Sequence, residues 1–278
     1  MPGWDAAEAG IDVTAPNAAR MYDYGLGGKE NYAADREAVH RLIEINPGIT
    51  SAMRANRAFL GRVVRCAIAV GIGQFLDIGS GLPTQQNVHQ IAHEHAPGAR
   101  VIYCDVDPVV VAHTQALLAG TDNAWVIQHD LRRPREILRD PLVRTVLDFR
   151  QPVAILLNAV LHFLPDGARP ARVLREFARV LAPDSMLAIS HATWEWQPDR
   201  HEQFRQAREV FEEASAVFTW RSGAEVAGWM AGEGMEIIDP GIVPISEWRP
   251  DRPAQTSERG VFGLVALKRP GREARAGG

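Results

Sequence analysis

The segment Phe75-Leu76-Asp77-Ile78-Gly79-Ser80-Gly81-Leu82-Pro83-Thr84 reads as a strand that runs into a glycine turn and then a helix. Such a turn lets a ligand approach the backbone closely. Two positions narrow the ligand. A dinucleotide fingerprint wants glycine where Thr84 stands and an apolar residue where Asp77 stands. An acidic side chain just before the turn sits badly beside a pyrophosphate. It suits an ammonium group, reached directly or through water, with Gly79, Ser80 and Gly81 lining the approach.

Three later segments carry polar groups at the ends of apolar runs. After Val101-Ile102-Tyr103-Cys104 come Asp105, Val106, Asp107 and Pro108. A carboxylate at Asp105 can accept from both hydroxyls of a ribose, and Val106 offers an apolar surface to a purine, while Asp107 can cap the helix that Pro108 begins. After residues 124–128 come His129, Asp130 and Leu131, where Asp130 can accept an adenine amino group or simply face water. The fourth run ends in Asn158, with His162 beyond it, and the fifth in His191. Each histidine is a candidate base, since imidazole titrates near neutrality, or a polar cap. Asn158 borders cofactor and acceptor or satisfies neighbouring backbone.

The elements that position these groups are short apolar runs alternating with amphipathic helices from Gly73 onward, the pattern of stacked βαβ units. Strands are expected at 74–78, 101–104, 124–128, 153–157 and 186–190, and helices at about 86–95, 108–118, 134–147 and 168–181. Residues 235–240 and 261–268 add two strands. The reading is α/β, with a mostly parallel seven-stranded sheet and helices on both faces, its ligands bound outside the carboxyl ends of the strands. Residues 73–269 form this Rossmann-like domain, with a charged lid helix at 195–216 and a capped helix from Ser222. Residues 1–15 and 270–278 are expected to be disordered.

Residues 16–72 form a helical cover. It holds a helix at about 31–44, ended by Asn46-Pro47-Gly48, and another capped by Thr50 or Ser51. Its Gly25–Gly28 bend beside Tyr22, Tyr24 and Lys29 reads as a flap that closes over the methionine end. Lys29 is one of two lysines in a chain whose cations are otherwise arginine, so its compact ammonium stands out. Arg57 or Arg54 can pair with a cofactor carboxylate, or be solvated.

Composition excludes several classes. A net charge of −4 gives no cationic footprint for gripping phosphate backbones, so no nucleic-acid partner is expected. No run approaches the roughly 20 apolar residues of a membrane span, and the acidic start lacks the order of a signal peptide. A cytoplasmic location follows. Cys66 and Cys104 support neither a disulfide nor a metal site. Trp194, Trp196, Trp220, Trp229 and Trp248 follow the fifth strand, a hint of an aromatic acceptor pocket.

The chain resembles the actinobacterial S-adenosyl methyltransferase family, long catalogued as a domain of unknown function, over about residues 14–270. The likeness lies in PNAARMYDYGLGGKENYAADREAV, ANRAFLGRVVR, FLDIGSGLPT, VIYCDVDPVVVAHTQALLAG, AVLHFLPD, LAISHAT and PGIVPISEWRPD, with Ser80 and Asn158 as departures. The resemblance implies a class I methyltransferase that binds S-adenosyl-L-methionine, and it supplies no acceptor. In-line methyl transfer to a small-molecule or protein acceptor is the expected activity. A regulator that binds the cofactor without turnover is the alternative, ahead of a nicotinamide-dependent oxidoreductase, which Asp77 and Thr84 disfavour. The oligomeric state is not encoded in any motif.

Overall fold

In the computed structural model, residues 12–83, 86–214, 217–252 and 259–270 are described. The period-two runs form strands β1 Gln74–Ile78, β2 Arg100–Asp105, β3 Ala124–Gln128, β4 Ala154–Asn158 and β5 Met186–Ala192, followed by β6 Met235–Ile237, β7 Val243–Pro244 and β8 Val261–Lys268. Their order in the sheet is β3-β2-β1-β4-β5-β8-β6, and β7 adds to β8. The five strands β1 to β5 pair in parallel, with Leu76 opposite Ile102 and Ile155. β8 runs antiparallel between β5 and β6. The sheet therefore has eight strands where seven were expected, because the two residues Val243 and Pro244 pair with Gly263 and Phe262.

Alternate side chains of each strand enter opposite cores, as the pleat requires. Leu76, Ile102, Ile155 and Leu157 meet Leu174 and Phe177 on one face. Phe75, Val101, Leu156 and Met186 meet Phe59, Val63 and Val64 on the other. Those partners come from α8 Pro170–Val180 and α3 Ile49–Ala69, each apolar along one stripe. α4 Val88–His95 and α5 Pro108–Leu117 make the crossovers between the first three strands.

Three local expectations are corrected. The helix expected at 134–147 is two, α6 Pro134–Arg139 and α7 Pro141–Val146. Pro141 lacks the N–H to continue the first, and the Asp140 carboxylate accepts from the amides of Leu142 and Val143 to start the second. α3 begins at Ile49 behind Gly48 with no side-chain cap, so neither Thr50 nor Ser51 caps it. α8 starts at Pro170, after Arg169 in left-handed geometry (φ 56°). The termini expected to be disordered, 1–15 and 270–278, fall mostly outside the described residues, as do Thr84 and residues 215–216 of the expected lid helix.

Before the sheet come α1 Ala18–Gly25 and α2 Ala33–Ile45. They are joined through one buried carboxylate. Asp35 accepts from the amides of Asn17 and Tyr32 and from Arg20 Nε, each at 2.8 Å, and neither Asp35 nor Arg20 is more than 6% exposed at the side chain. α9 His201–Glu213, the core of the expected lid, lies on α2, with Val210 and Phe211 against Val39 and Leu42. α10 Gly223–Gly228 follows the Ser222 cap, whose hydroxyl accepts from Glu225 N.

Asp35→Ala leaves the Arg20 guanidinium buried without its counter-charge, a loss on the order of 3–5 kcal/mol. The expected result is a matching fall in denaturant midpoint in equilibrium unfolding, with Asp35→Asn intermediate because it keeps one acceptor.

Candidate functional site

The turn after β1 is held by the neighbouring strand. Gly79 N and Ser80 N both donate to Cys104 O, at 2.8 and 3.3 Å. Gly79 has φ 70° and sits against Val160, where a Cβ would overlap the valine side chain. Gly81 has φ 65° with open space around it, and its amide donates 2.9 Å to Asp105 Oδ2. Asp105 Oδ1 accepts from Asp107 N at 3.1 Å. Val106 N is a further backbone donor to this carboxylate, which still has acceptor capacity to spare, so Asp105 both ties the turn to the end of β2 and can accept again. Burial raises its pKa, and the backbone donors of Asp107 and Gly81 oppose that rise. Asp107 caps α5 through Val109 N, as one of its two readings expected.

Behind the turn lies a polar recess lined by Arg57, Asp77, Ser80, Asn87, Tyr103 and Thr114. Asp77 is 3% exposed, and desolvation pushes its pKa up to about 7 against the lowering influence of Arg57. Arg57 Nη2 donates 2.9 Å to Asn87 Oδ1. The structure separates the two candidate arginines, since Arg54 is exposed and bonds only Thr50 of its own helix in the contacts resolved here. Ser80 Oγ and Thr114 Oγ1 are buried without partners. Unspent hydroxyls beside a costly buried carboxyl are what a cationic, hydrogen-bonding guest would satisfy, so the residues present fit an amino-acid ammonium.

Other expected residues separate. Val106 is 56% exposed at the end of β2, an open apolar platform. Asp130 accepts from Arg132 N and is ion-paired with the Arg132 guanidinium, so it is not idle in solvent, and Leu131 is buried in the core. Lys29 is exposed and does not line the recess. Tyr22 belongs to a chain of polar groups that the sequence reading did not assemble. Its hydroxyl donates 3.0 Å to Met53 O and accepts 3.0 Å from Asn56 Nδ2. Ser190 Oγ lies 2.6 Å from Asn56 Oδ1 and 2.9 Å from Asn158 Oδ1, and accepts from Ala159 N. A hydroxyl has one proton, so Ser190 donates to one of these two amide oxygens at a time, and the shorter contact is to Asn56. Asn56 was legible as the polar residue on the otherwise apolar stripe of α3.

His162 and His191 stand at the ends of β4 and β5 with ring centroids 5.5 Å apart. His191 is wholly buried, and its Nδ1 lies 2.7 Å from Ala192 O. A carbonyl only accepts, so Nδ1 carries the proton and Nε2 is the lone pair, which faces Arg221 Nη1 at 3.4 Å. Both nitrogens of His191 are engaged, which removes the geometric basis for its candidacy as a base. Burial lowers its pKa to about 4. His162 is also pushed well down by burial, with His191 and Arg221 adding to the effect, but its Nδ1 has no partner. Of the five tryptophans after β5, Trp220 alone joins the aromatic cluster beside His162, at 4.1 Å from Phe218. Trp248 packs on Phe59 in the opposite core, Trp196 and Trp229 pack on the sheet, and Trp194 is partly exposed.

A parallel sheet with one antiparallel strand near its edge, a glycine turn after β1 and acidic groups at successive strand ends define a class I S-adenosylmethionine-dependent methyltransferase. Residues 5–269 match the S-adenosyl methyltransferase family, and the chain belongs to it. A DUF574-family protein of Streptomyces avermitilis is 35% identical, with a TM-score of 0.85 over 93% of this chain and 99% of that one. A protein of Thermobifida fusca, described as a candidate methyltransferase, is 36% identical, with a TM-score of 0.84 over 94% and 98%. Human N-acetylserotonin methyltransferase, solved with S-adenosylmethionine, shares the fold at 14% identity and a TM-score of 0.50, over 95% of this chain and 65% of that one. No curated protein matches. No helix among the described residues is long and apolar enough to cross a membrane.

The raised Asp77 pKa has a sign that can be checked. Folding holds its proton more tightly than the unfolded chain, so this contribution to stability is full below about pH 4 and is lost as pH rises through about 7. Asp77→Asn is therefore expected to gain stability relative to the parent between pH 5 and pH 8, by up to about 4 kcal/mol. Urea unfolding of both proteins across that range measures the difference, and a pH-independent difference would remove the buried ionisation.

Proposed function

We propose that the protein methylates a small molecule bound outside the carboxyl ends of β4 and β5, beside His162. The observation that carries this reading is the convergence of the Asp77 recess, the Asp105-held turn and the Tyr22-Asn56-Ser190-Asn158 chain on one end of the sheet. When bound, S-adenosyl-L-methionine supplies a methyl group on a sulfonium, ready for in-line displacement. In this reading Asp77 and the hydroxyl of Ser80 receive the ammonium, and Arg57 the carboxylate. Asp105 accepts from the ribose, and Val106, Asp130 and Leu131 border the adenine. Gly79 and Gly81 let the ligand lie against backbone, and Asn158 and Tyr22 bound the methionine end, with Lys29 at the rim. A thioether leaving group needs no proton, so the protein's work is alignment and exclusion of water. His162 takes a proton only where the acceptor must lose one. The net charge of −4 favours a small molecule over a nucleic acid.

The flap enters the same proposal in altered form. Its glycines have packing reasons, since a Cβ on Gly25 would overlap Met53 and one on Gly28 would overlap Asp23. The bend is thus no argument for a hinge. What couples the arm to the cofactor end is Asn17 Nδ2, which donates 2.9 Å to Asp107 Oδ2 while Asp107 N donates to Asp105.

Two outcomes are expected. With methyl-labelled cofactor and cell extract, label enters the small-molecule fraction, and Asp105→Ala suppresses this because it weakens cofactor binding by about 1–3 kcal/mol in calorimetry. Label in protein alone would replace the acceptor class, and unchanged affinity would remove Asp105 from the site. Secondly, adding the demethylated cofactor slows amide hydrogen exchange across residues 16–36, which ligand-independent exchange would disprove.

A further inference from the structure

Arg221 is 1% exposed; the Trp229 ring lies 5.2 Å from its guanidinium carbon, and its counter-charges sit nearer the surface. Its Nη2 bonds Asp166 at 2.6 Å, but that carboxylate is 84% exposed, and Glu225 stands off at 3.7 Å from Nε, which has no hydrogen-bond partner. A well-packed apolar side chain would fill such a place at lower cost, so the fork is retained for its geometry.

That geometry is specific. Nη1 donates to Leu161 O at 3.3 Å and Nη2 to Leu164 O at 2.7 Å, the carbonyls on either side of the turn that carries His162 and Phe163. Two residues earlier on the same segment, Thr219 N donates 2.8 Å to His162 O, and Arg221 N donates 3.2 Å to Ala192 O at the end of β5. Nη1 also faces His191 Nε2 at 3.4 Å, which fixes the tautomer of that ring. His162 is then bounded edge-on by His191 and stacked on Phe218 at 4.4 Å, with Nδ1 left unpartnered.

We propose that Arg221 is a positioning residue for methyl transfer. Its guanidinium locks the 161–166 turn onto the end of β5, so that the His162 ring is held in one orientation with its buried Nδ1 unpaired, open to an acceptor only once one displaces its cover. This rests on the reading above that His162 borders the acceptor. His191 is the spacer through which the lock acts, and takes no proton itself.

The test uses the full chain labelled with ¹⁵N-histidine, as the parent and as Arg221→Gln, Arg221→Lys and Asp166→Asn. In the parent, His191 shows the Nδ1-protonated tautomer and titrates near pH 4, and His162 titrates well below the ordinary histidine range. Arg221→Gln removes the fork and the neighbouring cation, so the His162 midpoint is expected to rise by about one pH unit and its resonances to broaden. Arg221→Lys does not rescue the line shape, because an ammonium cannot span both carbonyls. Asp166→Asn leaves the buried contacts and gives the same change at smaller size, a readout that survives if the Arg221 variants fail to fold. Affinity for the demethylated cofactor stays within about threefold throughout, while label transfer to extract falls about tenfold or more in Arg221→Gln. Unchanged histidine spectra in the folded variants overturn the proposal, as does loss of cofactor affinity alongside the spectral change, which would make Arg221 a scaffold of the cofactor site. Absence of label transfer in the parent, with the spectral changes present, counts against the methyl-transfer reading and leaves the lock standing.

Discussion

Amides exposed where parallel strands end have no sheet partner, and in this protein carboxylates and carbonyls from the neighbouring strand supply one. Asp105 takes Gly81 N on one oxygen and Asp107 N on the other, while Cys104 O takes the two amides before Gly81. The turn after β1 is thereby fixed to the end of β2, and the fixing group keeps acceptor capacity. A structural brace and the candidate ribose acceptor are then one feature. Gly79 completes it, since a side chain there would collide with Val160 at the end of β4. Three adjacent strand ends are set in register by contacts that each involve backbone, which side-chain variation disturbs least.

The N-terminal arm depends on that brace. α1 begins at Asn17, whose side-chain oxygen caps the helix and whose amide nitrogen reaches Asp107. The buried Arg20–Asp35 pair then folds α2 back on α1, and α2 carries α9 on its other side. Residues far apart in the chain are thus drawn together around a third apolar cluster that includes Met21, Leu42, Phe211 and Phe218. The glycines of the arm serve close approach at Gly25 and Gly28, and a left-handed turn at Gly27 (φ 84°).

The sheet was legible because period-two apolar runs separated by amphipathic helices admit few topologies. The acidic groups were legible for the same reason, since Asp77, Asp105 and Asp130 each interrupt an apolar run at or near its C-terminal end, although the register staggers them, Asp77 pairing with Tyr103 and Asp105 with Gln128. Asp140-Pro141 was read through as helix because the flanking apolar spacing continues across it, although a proline after a capping aspartate is a start signal. β7 escaped notice because two residues carry no periodicity. Asn56 and Ser190 meet only in three dimensions, 134 residues apart, and Arg221 gives no sign in sequence that its fork will close on Leu161 and Leu164. The two histidines looked equivalent as residues beyond strand ends; a carbonyl beside one and none beside the other made them different.

Buried ionisable groups at the two ends of this site work against each other in pH. Asp77 favours the folded state most when protonated, so its contribution fades as pH climbs from about 4 to about 7. His191 is held neutral with its pKa near 4, so its contribution is present above its unfolded value of about 6.5 and fades as pH falls toward 4. Between about pH 4 and 6.5 these two slopes oppose each other. An ammonium beside Asp77 would favour the ionised carboxylate and cancel only the first slope.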